Sequence, residues 1–489
     1  MSGRGAVAVV LALGLLARLA YVWRPLDHRL AASWRQSDYT QVTRNFWRDG
    51  LDILHPRIDW RGDAPGYAEM ELPLLPWVAA AIDRVAGYHE QTLRALAAVC
   101  GTLGLVVFWG LARRLLPAGG RLVALAAFAA NPLLVYLSTA MQPEALAVLA
   151  ALLAVGCLWR FDREERWAWL VAAAAAAALA ILAKATSVYL GLVIAWVLLR
   201  RMGLRALVAP RVWGCALLAV VPGAAWYWWA HRFWLRWGLS LGVSNESHWI
   251  GLDMLFPPRF LIGILKWETI GVLTPIGWVL AAGALARLRD EGTRLALVWY
   301  GAVWVFYLAA ARTTGDDWAF YYHSASVAPA CLLMGAGFVA LRTWPRTSAA
   351  LVAGTLAALV AVNALLVHRR DGREDLRAMR ECALAFVPLV PPDAKIVVDG
   401  GTMHDEYGLP VAHNASTLFA WMDRKGFNYG SEELSVATLD GIAARGGRYW
   451  IAGPGELDRG GLRAAVEARY RLVARCPAGY ALYDLASRP

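Results

Sequence analysis

The sequence predicts an α-helical polytopic membrane protein that ends in a small α/β domain, and three observations carry that prediction. Of the 489 residues, 59% are hydrophobic and 17% charged, against roughly 45–50% and about 25% in soluble domains. The apolar residues fall in separate runs, each long enough to cross a hydrocarbon core about 30 Å thick. The net charge is +11, yet residues 370–489 hold 15 basic and 16 acidic side chains. The excess therefore sits in short loops between apolar runs. That is the positive-inside pattern of cytoplasmic loops, not a nucleic-acid surface. Abundant Leu, Val and Trp exclude a disordered chain.

Taken in order, the first apolar run is Ala6–Trp23, after Arg4. Arg24-Pro-Leu-Asp-His-Arg29 follows it in place of a small-residue cleavage site, so an uncleaved span with a cytoplasmic N-terminus is expected. Further spans are expected at Gln91–Leu111, Leu122–Ser138, Glu144–Trp159, Trp167–Lys184, Ser187–Leu199 and Val212–Ala230. Ile270–Ala286, Leu295–Ala311, Ser324–Leu341 and Ser348–Val367 bring the number to about eleven. Arginines cluster in alternate loops, at Arg113/Arg114/Arg121, Arg160/Arg163/Arg166, Arg200/Arg201/Arg205/Arg211, Arg287/Arg289/Arg294 and Arg342/Arg346. An odd number of spans then puts everything after His368 outside the cytoplasm. Residues 1–368 are read as a membrane domain whose first extracytoplasmic loop is 24–90, and residues 369–489 as an extracytoplasmic domain.

Within that domain, Leu376–Phe386 and Leu434–Ala444 have helical spacing. Lys395–Asp399, Arg448–Ala452, Tyr470–Ala474 and Tyr480–Asp484 read as strands. The domain is expected to fold separately and to do no chemistry. Cys100, Cys157, Cys215 and Cys331 lie in apolar runs and read as packing residues. Cys382 and Cys476 are both in the tail, where an oxidising compartment would allow a disulfide; two free thiols are the alternative. No zinc spacing, P-loop or dinucleotide fingerprint is present.

The first loop mixes eight Arg with ten acidic residues, which positive-inside statistics do not explain. Ser33-x-x-Gln36 is a capping-box pattern, and Tyr39, Val42 and Phe46 then form the stripe of an amphipathic helix lying on the membrane. Pro65-Gly66 leads to Glu69-Met-Glu71-Leu-Pro and a second apolar, surface-lying segment. Asp38, Glu69 and Glu71 thus stand at the edge of hydrocarbon, where ionisable groups are functional candidates; solvated loop acids are the alternative.

These features resemble the GT-C glycosyltransferases, and within them the branch of protein O-mannosyltransferases and the aminoarabinose transferase of lipid A. The resemblance covers about residues 1–346. It rests on Arg35-Gln-Ser-Asp-Tyr, Asn45-Phe-Trp-Arg-Asp-Gly, Pro56-Arg-Ile-Asp-Trp, Glu71-Leu-Pro, Lys184-Ala-Thr and Tyr321-Tyr-His, in that order. It implies a sugar donor on a polyprenyl phosphate, an extracytoplasmic acceptor (glycolipid, polysaccharide or protein) and Asp38 as the catalytic base. A single base suffices for a direct displacement with inversion, because the leaving group is already a phosphate. The sequence departs from the family at Asp38-Tyr39, where Asp-Glu is frequent. It departs again at Glu71-Leu72-Pro73, where the aminoarabinose branch has Glu-Lys-Pro. The second departure removes a phosphate-binding cation and counts against the aminoarabinose activity.

Lys184, at the end of an Ala-rich run, either snorkels to headgroups or meets a buried anion; it is the first candidate replacement, helped by the family's habit of a Lys at this turn. Lys266 is the second, although Glu268 is placed to pair with it, and Arg57 lies on the loop itself. Glu144 follows Gln142-Pro143 in the next small loop; it reads either as a cavity-facing acid or as the acidic first turn of a helix. Tyr322 and His323 enter an apolar run and read as donors to a phosphate or sugar hydroxyl, or as interfacial aromatics. Metal-dependent relatives exist and no cluster fixes a site, so a divalent cation is left open; no other cofactor is implied. A transporter or lipid flippase is the alternative class. It would show paired interrupted segments in two halves, and no internal repeat is present.

Overall fold

Apolar periodicity turns into helix nearly everywhere in the first three quarters of the chain. A computed structural model describes residues 3–24, 26, 33–244, 255–342, 349–371, 376–411, 416–458 and 461–487. The first run forms α1 (Gly3–Leu19), and the loop after it carries α2 (Ser33–Asp49) and α3 (Leu74–Ala86). Next come α4 (Gln91–Leu115), α5 (Ala118–Ala130), α6 (Pro132–Leu137), α7 (Glu144–Glu164), α8 (Trp167–Ala183), α9 (Leu190–Met202) and α10 (Pro210–Trp237). They are followed by α11 (Pro258–Trp267), α12 (Thr274–Gly283), α13 (Glu291–Ala309), α14 (Ala311–Gly315), α15 (Ser324–Arg342) and α16 (Ala349–Asp371).

Every expected span coincides with a helix. Among the described residues, seven segments are long and apolar enough to cross a membrane: Gln91–Leu115, Glu144–Glu164, Ala185–Leu207, Pro210–Trp237, Pro258–Arg287, Glu291–Ala309 and Asp317–Arg342. Ala118–Ala130, Trp167–Ala183 and Ala353–Arg369 are shorter apolar helices. Length and apolarity therefore support seven spans, not the full eleven.

The chain divides into two compact units. One comprises Met1–Trp23, Arg94–Trp228 and His248–Arg370. Its helices approach closely through small residues, as membrane helices do; a Cβ built on Gly120 would lie 2.5 Å from the Gly335 carbonyl oxygen. Two of its spans are broken. Between α5 and α6, the Asn131 side chain accepts from Leu134 N at 3.0 Å and donates to Val272 O at 2.9 Å. Val272 belongs to a π-helical turn, Glu268–Leu273, that interrupts the span just before Pro275. Arg18 supports the same break by donating to Ala129 O at 3.1 Å.

The other unit comprises Arg24–Leu93, Trp229–Ser247 and Asp371–Pro489. Its sheet contains β1 (Lys395–Asp399), β2 (Gly426–Tyr429), β3 (Gly447–Ala452), β4 (Arg471–Arg475) and β5 (Ala481–Asp484), in the order β2-β1-β3-β5-β4. β1 runs parallel to β2 and β3, while β5 is antiparallel to β3 and β4. Helices α17 (Arg377–Phe386), α18 (Thr417–Met422), α19 (Val436–Ala444) and α20 (Leu462–Glu467) accompany it. Val397, Trp450, Tyr483, Leu439 and Val466 lie in its core. Cys382 and Cys476 form a disulfide, with Cα atoms 5.7 Å apart.

This sheet is not packed alone. Gly62 N donates to Gly426 O at 2.6 Å and Gly426 N to Asp59 O at 2.8 Å, so the first loop pairs with the β2 edge. Gly426 is required there, since a Cβ would stand 1.8 Å from Ile396 O. A second correction concerns α2, which the hydrophobic stripe places on a membrane surface. Tyr39, Val42 and Phe46 are buried, but so are Gln36, Ser37, Gln41 and Arg44 on other sides. Gln41 Nε2 donates to Ser416 O at 2.9 Å and Arg44 Nη1 to Ala420 O at 2.8 Å, so the polar face is covered by the region around α18. The expected capping box involves the Ser33 side chain, which lies outside the described residues.

Candidate functional site

The candidate residues fall into two groups, one in each unit. Asp38 sits on α2 because the Ser33–Asp49 helix continues through a polar stretch that only burial by partners can stabilise. The carboxyl group is 1% exposed. Oδ1 accepts from Trp60 Nε1 at 2.8 Å, and Oδ2 has no hydrogen-bond partner among the described residues. Burial pushes the acid up from its ordinary 3.8 to about 7; the Trp60 hydrogen bond, the nearby Ser416 hydroxyl and the Arg35 charge oppose that shift, and the Asp59 charge adds to it. A carboxyl group that titrates near neutrality and keeps an unused lone pair is matched to taking a proton. Trp60 ends the Pro56-Arg-Ile-Asp-Trp segment of the resemblance, but its sequence position gives no sign that it binds Asp38.

The neighbouring acids are bound differently. Glu71 accepts from Arg35 Nη2 at 2.5 Å and from Tyr39 Oη at 2.9 Å, which ties α2 to the segment before α3. Glu69 accepts from Ser244 Oγ at 2.8 Å and Ser244 N at 3.1 Å, with His231 Nδ1 2.9 Å away, and so anchors the 239–244 loop. Asp59 accepts from Asn45 Nδ2 at 3.0 Å and Arg44 Nη2 at 3.3 Å. Arg57 lies over the Tyr67 ring at 5.1 Å and is paired with Asp49 at 3.5 Å.

In the helical unit, Lys184 caps α8 and begins a 3₁₀ turn, Ala185–Tyr189. Its Nζ donates to Glu144 Oε1 at 2.6 Å, both side chains being buried. The Tyr321 and Tyr322 rings lie 4.6 and 4.4 Å from that nitrogen. Both tyrosines belong to the 3₁₀ segment Asp317–His323. Lys184, Tyr322, Thr186, Ser187 and Ser324 line a narrow cavity that continues past Ala151 and Ala328. The structure thus joins three candidates: Glu144, Lys184 and Tyr322.

Lys266 is not paired with Glu268, as adjacency on a helix suggests. It is half-exposed and reaches Asp317 Oδ1 and Oδ2 at 2.5 and 2.7 Å. Glu268 turns inward and accepts from His323 Nδ1 at 2.8 Å, Ser326 Oγ at 2.7 Å and Tyr300 Oη at 2.7 Å. His323 Nε2 is 2.9 Å from Thr314 O, so both ring nitrogens are engaged inside the protein. His323 fixes the end of the segment that presents Tyr321 and Tyr322. Among the described residues, no group of three or more His, Cys, Asp or Glu side chains is placed to hold a metal ion.

The chain as a whole resembles known proteins. The family described as dolichyl-phosphate-mannose-protein mannosyltransferase matches residues 64–229. ArnT from Cupriavidus metallidurans in the apo state aligns at a TM-score of 0.65 and 17% identity, over 99% of this chain and 98% of its own. The same protein bound to undecaprenyl phosphate aligns at 0.61 and 17%, over 98% and 97%. The oligosaccharyltransferase AglB from Archaeoglobus fulgidus, with an inhibitory peptide and a dolichol-phosphate, aligns at 0.57 and 13%, over 98% of this chain and 74% of its own. No curated protein matches by sequence. These likenesses give the chain the fold of the GT-C glycosyltransferases, as the sequence motifs led us to expect.

Proposed function

We propose that this chain is a membrane glycosyltransferase that moves a sugar from a polyprenyl-phosphate donor to an acceptor outside the cytoplasm. The observation that carries the reading is Asp38, a buried carboxyl group poised near neutrality with one oxygen unengaged. The GT-C fold and the lipid phosphates held by two of the similar structures support the donor class.

In this reading Asp38 Oδ2 takes the proton of an acceptor hydroxyl as its oxygen attacks the anomeric carbon. The bond from that carbon to the phosphate oxygen breaks, and polyprenyl phosphate leaves with the electron pair. One displacement inverts the anomeric centre and needs no carboxylate nucleophile. Lys184 holds the departing phosphate, Glu144 and the two tyrosines fix its ammonium, and Glu71 and Glu69 position the loop around the base. Lys266 and Arg57, both partly exposed and paired, are assigned no chemical role, and His323 acts by positioning. The tail is read as extracytoplasmic, with the disulfide as its support.

Proteoliposomes supplied with an undecaprenyl-phosphate sugar test the class. The enzyme releases undecaprenyl phosphate and Asp38→Asn does not, whereas a transporter moves its solute unchanged. Lys184→Ala should weaken binding of loaded and free lipid phosphate together. If both still bind and Lys266→Ala abolishes binding, the phosphate belongs to Lys266.

A further inference from the structure

Gln142 is fully buried, and neither its Oε1 nor its Nε2 has a hydrogen-bond partner among the described residues. The backbone around it is well satisfied: Gln142 N donates to Ala140 O at 2.8 Å, and Thr139 O accepts from Arg94 Nη1 at 3.0 Å. Pro143 follows, and then Glu144, whose carboxylate holds Lys184. Buried amides almost always find partners, because an orphaned donor and acceptor lose their water and gain nothing. A leucine would fill the same space without that cost.

We propose that Gln142 recognises the sugar of the lipid-linked donor, its Nε2–H donating to one ring hydroxyl and its Oε1 accepting from another. The inference rests on Lys184 holding the donor phosphate. The sugar is bonded directly to that phosphate, so a group that reads its hydroxyls belongs on the segment that builds the cation's seat. Gln142 precedes Glu144 by two residues. An amide also suits hydroxyls better than it suits a phosphate, which would use the N–H and leave Oε1 without a donor. A site built to hydrogen-bond a hydroxyl rejects ligands that lack it, which makes Gln142 a specificity-determining residue.

The test uses the full chain in lipid nanodiscs, titrated with undecaprenyl phosphate and with its mannose- and arabinofuranose-loaded forms. Wild type should prefer one loaded form to the free lipid by about tenfold or more. Gln142→Leu should abolish that preference and leave free-lipid affinity within about twofold. Gln142→Met, which keeps the length and removes both polar groups, should weaken the loaded form alone and serves if the leucine variant does not fold. A preference that survives both substitutions, an equal loss for both lipids, or a wild type that never discriminates would overturn the assignment. Undiminished binding of both lipids by Lys184→Ala would instead remove the phosphate reading, whatever Gln142 does.

Discussion

The two units pair most of their buried acids in the same way, and one candidate acid in the loop unit departs from it. In the helical unit each buried carboxylate of the candidate site has a basic partner at short range: Lys184 for Glu144 at 2.6 Å, His323 for Glu268 at 2.8 Å. In the loop unit Glu71, Glu69 and Asp59 are treated the same way by Arg35, His231 and Arg44. Asp38 is the exception among the candidate acids. Its Oδ1 accepts from a neutral indole while the Arg35 guanidinium binds Glu71, and its Oδ2 is left open. A charge whose burial has been offset holds structure together. A buried carboxyl group with no such cation is a candidate for proton transfer, and burial raises the pKa of Asp38 to about 7.

The strongest way to break this comparison is Asp38→Asn. The amide still offers Trp60 an acceptor but cannot take a proton, so turnover in proteoliposomes should fall about 10³-fold. Its melting temperature should hold or rise, since a costly buried charge is gone. Activity within about threefold of wild type, under 1 kcal/mol of barrier, would end the base assignment.

Lys184→Ala tests the opposite kind of acid. It strands Glu144 in the helical unit and should cost about 3–5 kcal/mol in thermal unfolding. The double variant Lys184→Met with Glu144→Leu should recover most of that loss. A single variant as stable as wild type would show that the pair does not secure the unit.

A pH series sharpens the contrast without mutation. With Asp38 at about 7, the rate should rise with pH and fall about tenfold per unit below that value. Stability moves the other way. Between 3.8 and about 7 the folded state binds the proton that the unfolded state has released. The stabilisation from Asp38 is therefore complete below 3.8 and lost as pH rises through about 7. Residual activity of Asp38→Asn should lack this inflection; an identical profile would assign it to another group.

The smallest expected effect is that of Tyr39→Phe, which removes one of the hydrogen bonds to Glu71 and should cost about 1 kcal/mol of stability. The pH profile should not move. A shifted profile would mean that Glu71 and Asp38 titrate as one unit.

Much of the fold is legible in the residues, because a 17- to 25-residue apolar run has few alternatives to a helix in lipid. The strands at Lys395–Asp399 and Ala481–Asp484 are legible from β-branched and aromatic content. β2, Gly-Phe-Asn-Tyr, is not, since glycine and asparagine are poor strand formers and only the parallel partner imposes the conformation. Asp38 and Lys184 stand out because ionisable groups beside apolar runs are expensive. Their pairings do not: Trp60 is 22 residues from Asp38, and Glu144, itself a candidate, is 40 from Lys184. Glu268 shows the limit of local reasoning, because the π turn that begins at Glu268 turns its carboxylate away from Lys266 and toward His323.

The enclosure of α2 has a consequence for the order in which the protein is made. Gln41 and Arg44 find their acceptors 375 and 376 residues later in the chain, at Ser416 and Ala420. At about 5–20 residues per second, a ribosome completes those acceptors on the order of half a minute after α2 has emerged. The α2 segment is thus synthesised well before the partners that cover it. A chain terminated before residue 416 would still contain its apolar helices and Asp38, yet the carboxyl group would lack the cover that desolvates it. Cover of the Asp38 carboxyl group is therefore complete only after residues 416–420 have been made.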